Sequence, residues 1–153
     1  MDLRKELNLL IESLNRENIQ YALCGGMALA VHGHPRFTQD LDLLIREDDL
    51  EQLIGIAQRL GYLDISGWLK FGSGTDRETK LYRVVKPLST ENLMLDLICV
   101  TPPFEEVWNS RTQFEISGRQ MTVVSRSGLR TMKQISNRPQ DLVDLEKLDE
   151  ATD

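Results

Sequence analysis

Residues 21–45 constrain the fold of this chain more than any other stretch. Tyr21 to Cys24 is an apolar run, Gly25-Gly26 a turn, Met27 to Val31 a short helical segment, and Leu41 to Ile45 a second apolar run. The second run carries two carboxylates, Asp40 and Asp42, at alternate positions. Strand side chains alternate faces, so Asp40 and Asp42 share one face while Leu41, Leu43 and Ile45 share the other. Two like charges on one face of an apolar strand repel each other and lose hydration. A divalent cation held by both would relieve that cost. The glycine turn, opening a helix, aims backbone N–H groups outward and makes a seat for phosphate. Carboxylates for metal beside a phosphate cradle point to phosphoryl or nucleotidyl transfer.

Helices and strands alternate along the remaining sequence. Leu3, Leu7, Leu10, Ile11 and Leu14 recur at helical spacing and predict a one-faced helix over 2–17. Strands are expected at 19–24 and 41–45. Asp48 or Asp49 caps a helix with Leu50, Leu53, Ile54, Ala57 and Leu60 inward, stopped by Gly61. Residues 64–79 are glycine-rich without periodicity and read mostly as a mobile loop. Strands follow at 81–85 and 93–100, then a short helix from Pro102-Pro103 to Trp108. A hairpin is expected from 114–116 and 121–124 around Ser117-Gly118-Arg119. Ser127 caps a helix through Ile135, and Pro139 opens the last one. This order suits an α/β (α+β) domain, a mixed β-sheet with helices packed on it, spanning 1–153.

The order Gly25-Gly26, Ala28-Leu29, His32-Gly33, Arg36, Thr38, Asp40-Leu41-Asp42 resembles the polymerase-beta-like nucleotidyltransferase superfamily. Within it, the chain is most similar to small bacterial proteins related to the abortive-infection (AbiEii-type) nucleotidyltransferase toxins. The resemblance is strong over residues 21–45 and looser as far as residue 148. It implies Mg²⁺ or Mn²⁺, a nucleoside triphosphate, and transfer of a nucleoside monophosphate to an acceptor hydroxyl with release of pyrophosphate. Asp40 and Asp42 would hold the metals. Asp96, one charge within the apolar run Leu93 to Cys99, takes the place of the family's third Asp as ligand and base. Three such carboxylates could hold two ions roughly 3.5–4 Å apart.

The resemblance assigns Gly25 and Gly26 to the phosphate cradle. Relatives carry Ser where this chain has Gly26, so backbone N–H groups must do the holding here. Arg36 would grip a phosphate and Thr38 would orient Asp40; their plain alternatives are an ion pair and a β-forming residue. Lys133, with the 138–145 segment, matches an element in which a Lys approaches the nucleotide accompanied by an Asp. On charge pattern alone it is a solvated helical face. Arg77, Lys80 and Arg83 could reach triphosphate or acceptor, and Asp42 could instead pair with Arg36 or Arg83. His32 and His34, at a helix end and loop, read as structural or surface residues.

Net charge is −6, which argues against a broad nucleic-acid-binding surface but not against a local basic pocket. The two cysteines, Cys24 and Cys99, fall in expected strands and read as small core hydrophobes, consistent with a reducing cytosol. The segment opening with Met1 and Asp2 reads as an amphipathic helix rather than a signal peptide, and no run reaches the roughly 20 apolar residues of a membrane span. A cytoplasmic protein is the expectation. RNA, protein and small molecules all stay open as acceptors, and the resemblance adds a toxin or antitoxin partner. The alternatives are a non-catalytic nucleotide-binding or toxin–antitoxin regulatory module on the same fold, and a structural protein whose acidic groups are satisfied by Arg and Lys.

Overall fold

Seven strands form one mixed sheet in the order β3-β4-β5-β2-β1-β7-β6 in the computed structural model, which describes residues 2–150. Met1 and residues 151–153, included in the expected domain and N-terminal segment, lie outside the described residues. The strands are β1 Ala22–Cys24, β2 Asp40–Ile45, β3 Leu63–Phe71, β4 Thr79–Pro87, β5 Asn92–Cys99, β6 Thr112–Ile116 and β7 Arg119–Val123. The Asp-x-Asp strand β2 is central, antiparallel to β1 and parallel to β5. Its Leu41, Leu43, Leu44 and Ile45 are fully buried, as expected for a strand covered by helices.

The helices are α1 Leu3–Arg16, α2 Gly25–Val31, α3 Leu50–Arg59, α4 Glu105–Asn109, α5 Arg126–Ser136 and α6 Pro139–Glu150. Asp2 caps α1 by accepting from the Lys5 amide at 3.1 Å, and Leu7, Leu10, Ile11 and Leu14 are its buried stripe. α1 packs with α3, and Lys86 of β4 reaches Glu6 of α1 at 2.8 Å. Lys86 and Arg83 are an odd number of residues apart on β4, so they leave the sheet on opposite faces. One face is thus closed by α1 and α3, and the other, bearing Arg83, opens toward α5. No helix of the described residues is long and apolar enough to cross a membrane.

Three local expectations are corrected. Residues 64–79 are not one loop: Leu63–Phe71 is an edge strand paired with β4, and only the glycine-rich turn between Phe71 and Thr79 remains irregular. Its side chains are mostly exposed, so no buried–exposed alternation marked it, and Gly67 sits where its register shifts. The helix after the first glycine pair begins at Gly25 rather than Met27. Ser125, not Ser127, caps α5, its hydroxyl accepting from the Gly128 amide at 2.9 Å.

Candidate active site

A row of side chains crosses the sheet at one level. Cys24 of β1 pairs with Asp42 of β2, Asp42 with Asp96 of β5, and Asp96 with Arg83 of β4. Cross-strand partners share a face, so the row reads thiol, carboxylate, carboxylate, guanidinium. It lies in a cleft of about 370 Å³ between the sheet and α5. Asp42, Asp96, Gly25 and Lys133 line this cleft, with Leu69, Phe71, Leu81 and Met132 among its apolar walls. Asp40, two residues before Asp42, shares its face of β2.

The carboxylates are under electrostatic stress. Burial pushes Asp42 up to about 7, and the charges of Asp96 and Asp40 add to the shift. Asp40 is raised too, first by burial and then by Asp96. Among the described residues neither Asp40 nor Asp42 accepts a hydrogen bond from a side chain or forms an ion pair. Asp96 does: Arg83 grips it with two parallel bonds, Nε to Oδ1 at 2.7 Å and Nη2 to Oδ2 at 3.0 Å. The alternative in which Arg36 or Arg83 pairs with Asp42 is therefore not the arrangement found: Arg83 pairs with Asp96 and Arg36 with Asp144. Burial also pushes the Cys24 thiol well up, with Asp42 adding, so it is an inert neutral group beside the acids.

A divalent cation fits the unpartnered, mutually repelling Asp40 and Asp42, because it would supply the charge that no side chain gives them. Three carboxylates are not gathered as expected: among the described residues no group of three or more His, Cys, Asp or Glu is arranged to hold a metal. The guanidinium on Asp96 takes up the oxygens that such a set would use.

The glycine pair is packed against the acidic strand. Gly25 has φ +67°, and a Cβ there would fall 2.1 Å from Asp42 Oδ2. Its missing side chain therefore makes room for the carboxylate as well as for the turn. At Gly26 a Cβ would meet the Thr38 Cβ at 2.9 Å and Oγ1 at 3.0 Å, so a Ser at this position does not drop in unopposed. The Thr38 hydroxyl itself reaches the Asp40 backbone carbonyl at 3.5 Å, tying this lead-in to the start of β2.

Lys133 is buried rather than part of a solvated face. Its Nζ donates to Asp144 Oδ2 at 2.7 Å and lies 3.7 Å from Asp141 Oδ1. Arg36 donates through Nε to Asp144 Oδ1 at 3.0 Å and through Nη2 to Oδ2 at 3.1 Å, and Gln140 Nε2 donates to Oδ1 at 3.0 Å. Burial alone would raise Asp144, but these donors outweigh it and hold its carboxyl below the usual range. Arg138 supports Asp141 in the same way, through Nε at 3.0 Å and its own amide at 2.9 Å. Arg36, Thr38, Gly26 and Asp40 are thus placed around the site without lining the cleft. His32 bonds the Val124 carbonyl at 2.8 Å, and His34 meets Arg126 at 3.1 Å, both away from the acids.

Sequence reasoning missed the clamp of Arg83 on Asp96, which depends on a β4–β5 register that local pattern does not reveal. It also left Arg138 out of the site, although it lines the cleft.

With this geometry in view, the model of the family described as "Nucleotidyl transferase AbiEii toxin, Type IV TA system" matches residues 8–152. The chain belongs to the AbiEii nucleotidyltransferase family. It is accordingly a nucleotidyltransferase, and its mixed sheet matches solved structures of that fold. A lincosamide antibiotic adenylyltransferase, LnuA, bound to lincomycin, superposes with a TM-score of 0.63 at 13% identity, covering 95% of each chain. ANT(2")-Ia, in complex with adenylyl-2"-tobramycin, gives 0.66 at 13% identity over 96% of this chain and 87% of that one. A putative nucleotidyltransferase from Thermotoga maritima gives 0.65 at 14% identity, covering 94% and 89%. At such identities the likeness shows the fold alone. Comparison with curated protein sequences gives no match.

Proposed function

We propose that this AbiEii-family chain is a metal-dependent enzyme that transfers a nucleoside monophosphate from a nucleoside triphosphate to an acceptor hydroxyl on RNA, protein or a small molecule. The observation that carries this is the register of Asp42 beside Asp96 at the floor of a cleft whose wall holds the buried Lys133. Asp40 and Asp42 would hold Mg²⁺ or Mn²⁺, and Asp96 would join them once Arg83 leaves its carboxylate. The cation would neutralise phosphate charge and lower the barrier to displacement at the α-phosphorus.

The remaining work falls to the chain's own groups. The acceptor oxygen forms a bond to the α-phosphorus while the bond to the bridging oxygen breaks, and pyrophosphate leaves. Asp96 takes the hydroxyl proton. Gly25, on the cleft wall, leaves the approach open for the phosphates, with Gly26 packed behind it on Thr38, and Lys133, fixed by Asp144, offers a positive charge to them. Arg36 acts through Asp144, as an anchor of Lys133. The apolar cleft wall suits a nucleobase or an apolar acceptor face, and excludes water from the reacting phosphorus. A toxin's role in the cell, with an antitoxin partner, belongs to the same proposal.

The test is transfer of label from each α-labelled triphosphate, with Mg²⁺ or Mn²⁺, to host RNA or protein. Label transfer by the wild type and its loss in Asp42→Asn is the expected result. Metal-dependent triphosphate binding without transfer to any acceptor would leave a binding module instead.

A further inference from the structure

Arg83 is, among the described residues, the one partner that Asp96 has by hydrogen bond, it lines the cleft, and its side chain keeps 28% exposure against 8% for Asp96. The carboxylate is therefore held by the more exposed partner of the pair, a group that also lines the cleft. The strands fix where that group starts: Arg83 and Asp96 are a direct cross-strand pair, and Asp42 is the next residue in the row. The guanidinium thus stands at one end of a line of acids, in reach of only one of them. That leaves Asp40 and Asp42 without a side-chain donor while Asp96 is satisfied twice.

We propose that Arg83 is the internal counter-ion of this acidic row: it holds Asp96 while the cleft is empty, then releases the carboxylate and moves onto the phosphate oxygens of the incoming triphosphate. The inference rests on the proposed nucleotide site and assigns that site a residue which must exchange partners. The planar fork that grips a carboxylate grips two phosphate oxygens equally well, so the exchange conserves its hydrogen bonds. Lys133 is not equivalent, because it is buried and already committed to Asp144 and Asp141. Arg138 is likewise engaged with Asp141.

Such an exchange has an unusual signature. Removing Arg83 should improve binding of a cation on its own and impair binding of the triphosphate. A residue that merely braces the sheet would weaken both.

The experiment measures Mn²⁺ binding without nucleotide, by water-proton relaxation, and binding of a non-hydrolysable triphosphate in Mn²⁺, by calorimetry. Wild type, Arg83→Gln, Arg83→Lys and Asp42→Asn are compared, with circular dichroism to establish folding. Arg83→Gln should bind Mn²⁺ on the order of tenfold more tightly and the triphosphate on the order of tenfold more weakly. Arg83→Lys, which keeps the charge without the fork, should fall between and serves if Arg83→Gln does not fold. Mn²⁺ binding unchanged or weaker in the folded variant overturns the exchange, as does undiminished triphosphate binding. If wild type binds Mn²⁺ and Asp42→Asn does not, while Arg83→Gln matches wild type, the nucleotide site stands and only the role of Arg83 falls. If neither wild type nor Arg83→Gln binds Mn²⁺ or triphosphate, both fall.

Discussion

Asp42 is the residue at which stability and the proposed chemistry pull in opposite directions. Its folded value of about 7 lies above the ordinary 3.8, so between these values the folded state holds a proton that the unfolded state has lost. Stability from this group is therefore greatest in acid and declines as pH rises from about 4 to 7. Asp42→Asn removes the decline. At pH 8 the metal-free variant should be the more stable protein, by on the order of 4 kcal/mol, and the two melting curves should converge near pH 4. A wild type as stable as the variant at pH 8 would mean the carboxylate is not strained. The glycines make a second residue-scale comparison. Gly25→Ala meets both a positive φ and Asp42 Oδ2, whereas Gly26→Ser meets only Thr38. Denaturant midpoints should order them wild type, Gly26→Ser, Gly25→Ala, with Gly25→Ala losing about 2–4 kcal/mol. Equal midpoints for the two variants would show that the close approach to Asp42 is relaxed away. The alternation around Asp40 and Asp42 was legible because a strand's faces follow from its own sequence. The guanidinium on Asp96 was not, because two residues thirteen apart meet only through strand register.

Among the elements, α5 and α6 form a unit pinned to the lead-in of β2 by the Lys133–Asp144–Arg36 contacts. A fully buried carboxylate with this many donors becomes costly when it is changed alone, because the opposing buried Lys133 is left short of a partner. Asp144→Asn should destabilise by about 3–5 kcal/mol, seen as a melting temperature lower by on the order of 10 °C. Glu105→Gln breaks the exposed 2.8 Å pair with Arg46 and should stay within about 1 kcal/mol of wild type. Similar losses from both variants would contradict the buried network. Element boundaries show what sequence can reveal. α1 was legible because its apolar stripe is local. β3 was not, since an edge strand with exposed side chains owes its strand form to β4 rather than to its own pattern. Lys133 looked like a surface charge for the same reason: what buries it comes from another helix.

At the scale of the whole molecule, two groups of acids set opposite pH limits on stability. Donors hold Asp141 and Asp144 below their ordinary values against the effect of burial, so the stability they give is present above about pH 4 and lost as pH falls through their folded values. Asp42, raised mainly by burial, gives stability that is lost as pH rises from about 4 toward 7, and Asp40, raised in the same direction, adds to the loss. The free protein should therefore be most stable on the acid side of neutrality, although its net charge of −6 at pH 7 alone would favour only a gradual trend. A bound cation reverses the second slope, since it requires the carboxylates ionised and stabilises the native state by mass action. With millimolar Mn²⁺ and a triphosphate, the gain in melting temperature should be several degrees at pH 8 and shrink toward zero by pH 5, where protons displace the cation. Asp42→Asn should show no gain at either pH. Thermal unfolding of both proteins, with and without Mn²⁺ and triphosphate across this range, checks the whole pattern. A gain that is equal at pH 5 and pH 8 would place the cation on groups other than Asp40 and Asp42, and the central row of the sheet would lose its proposed role.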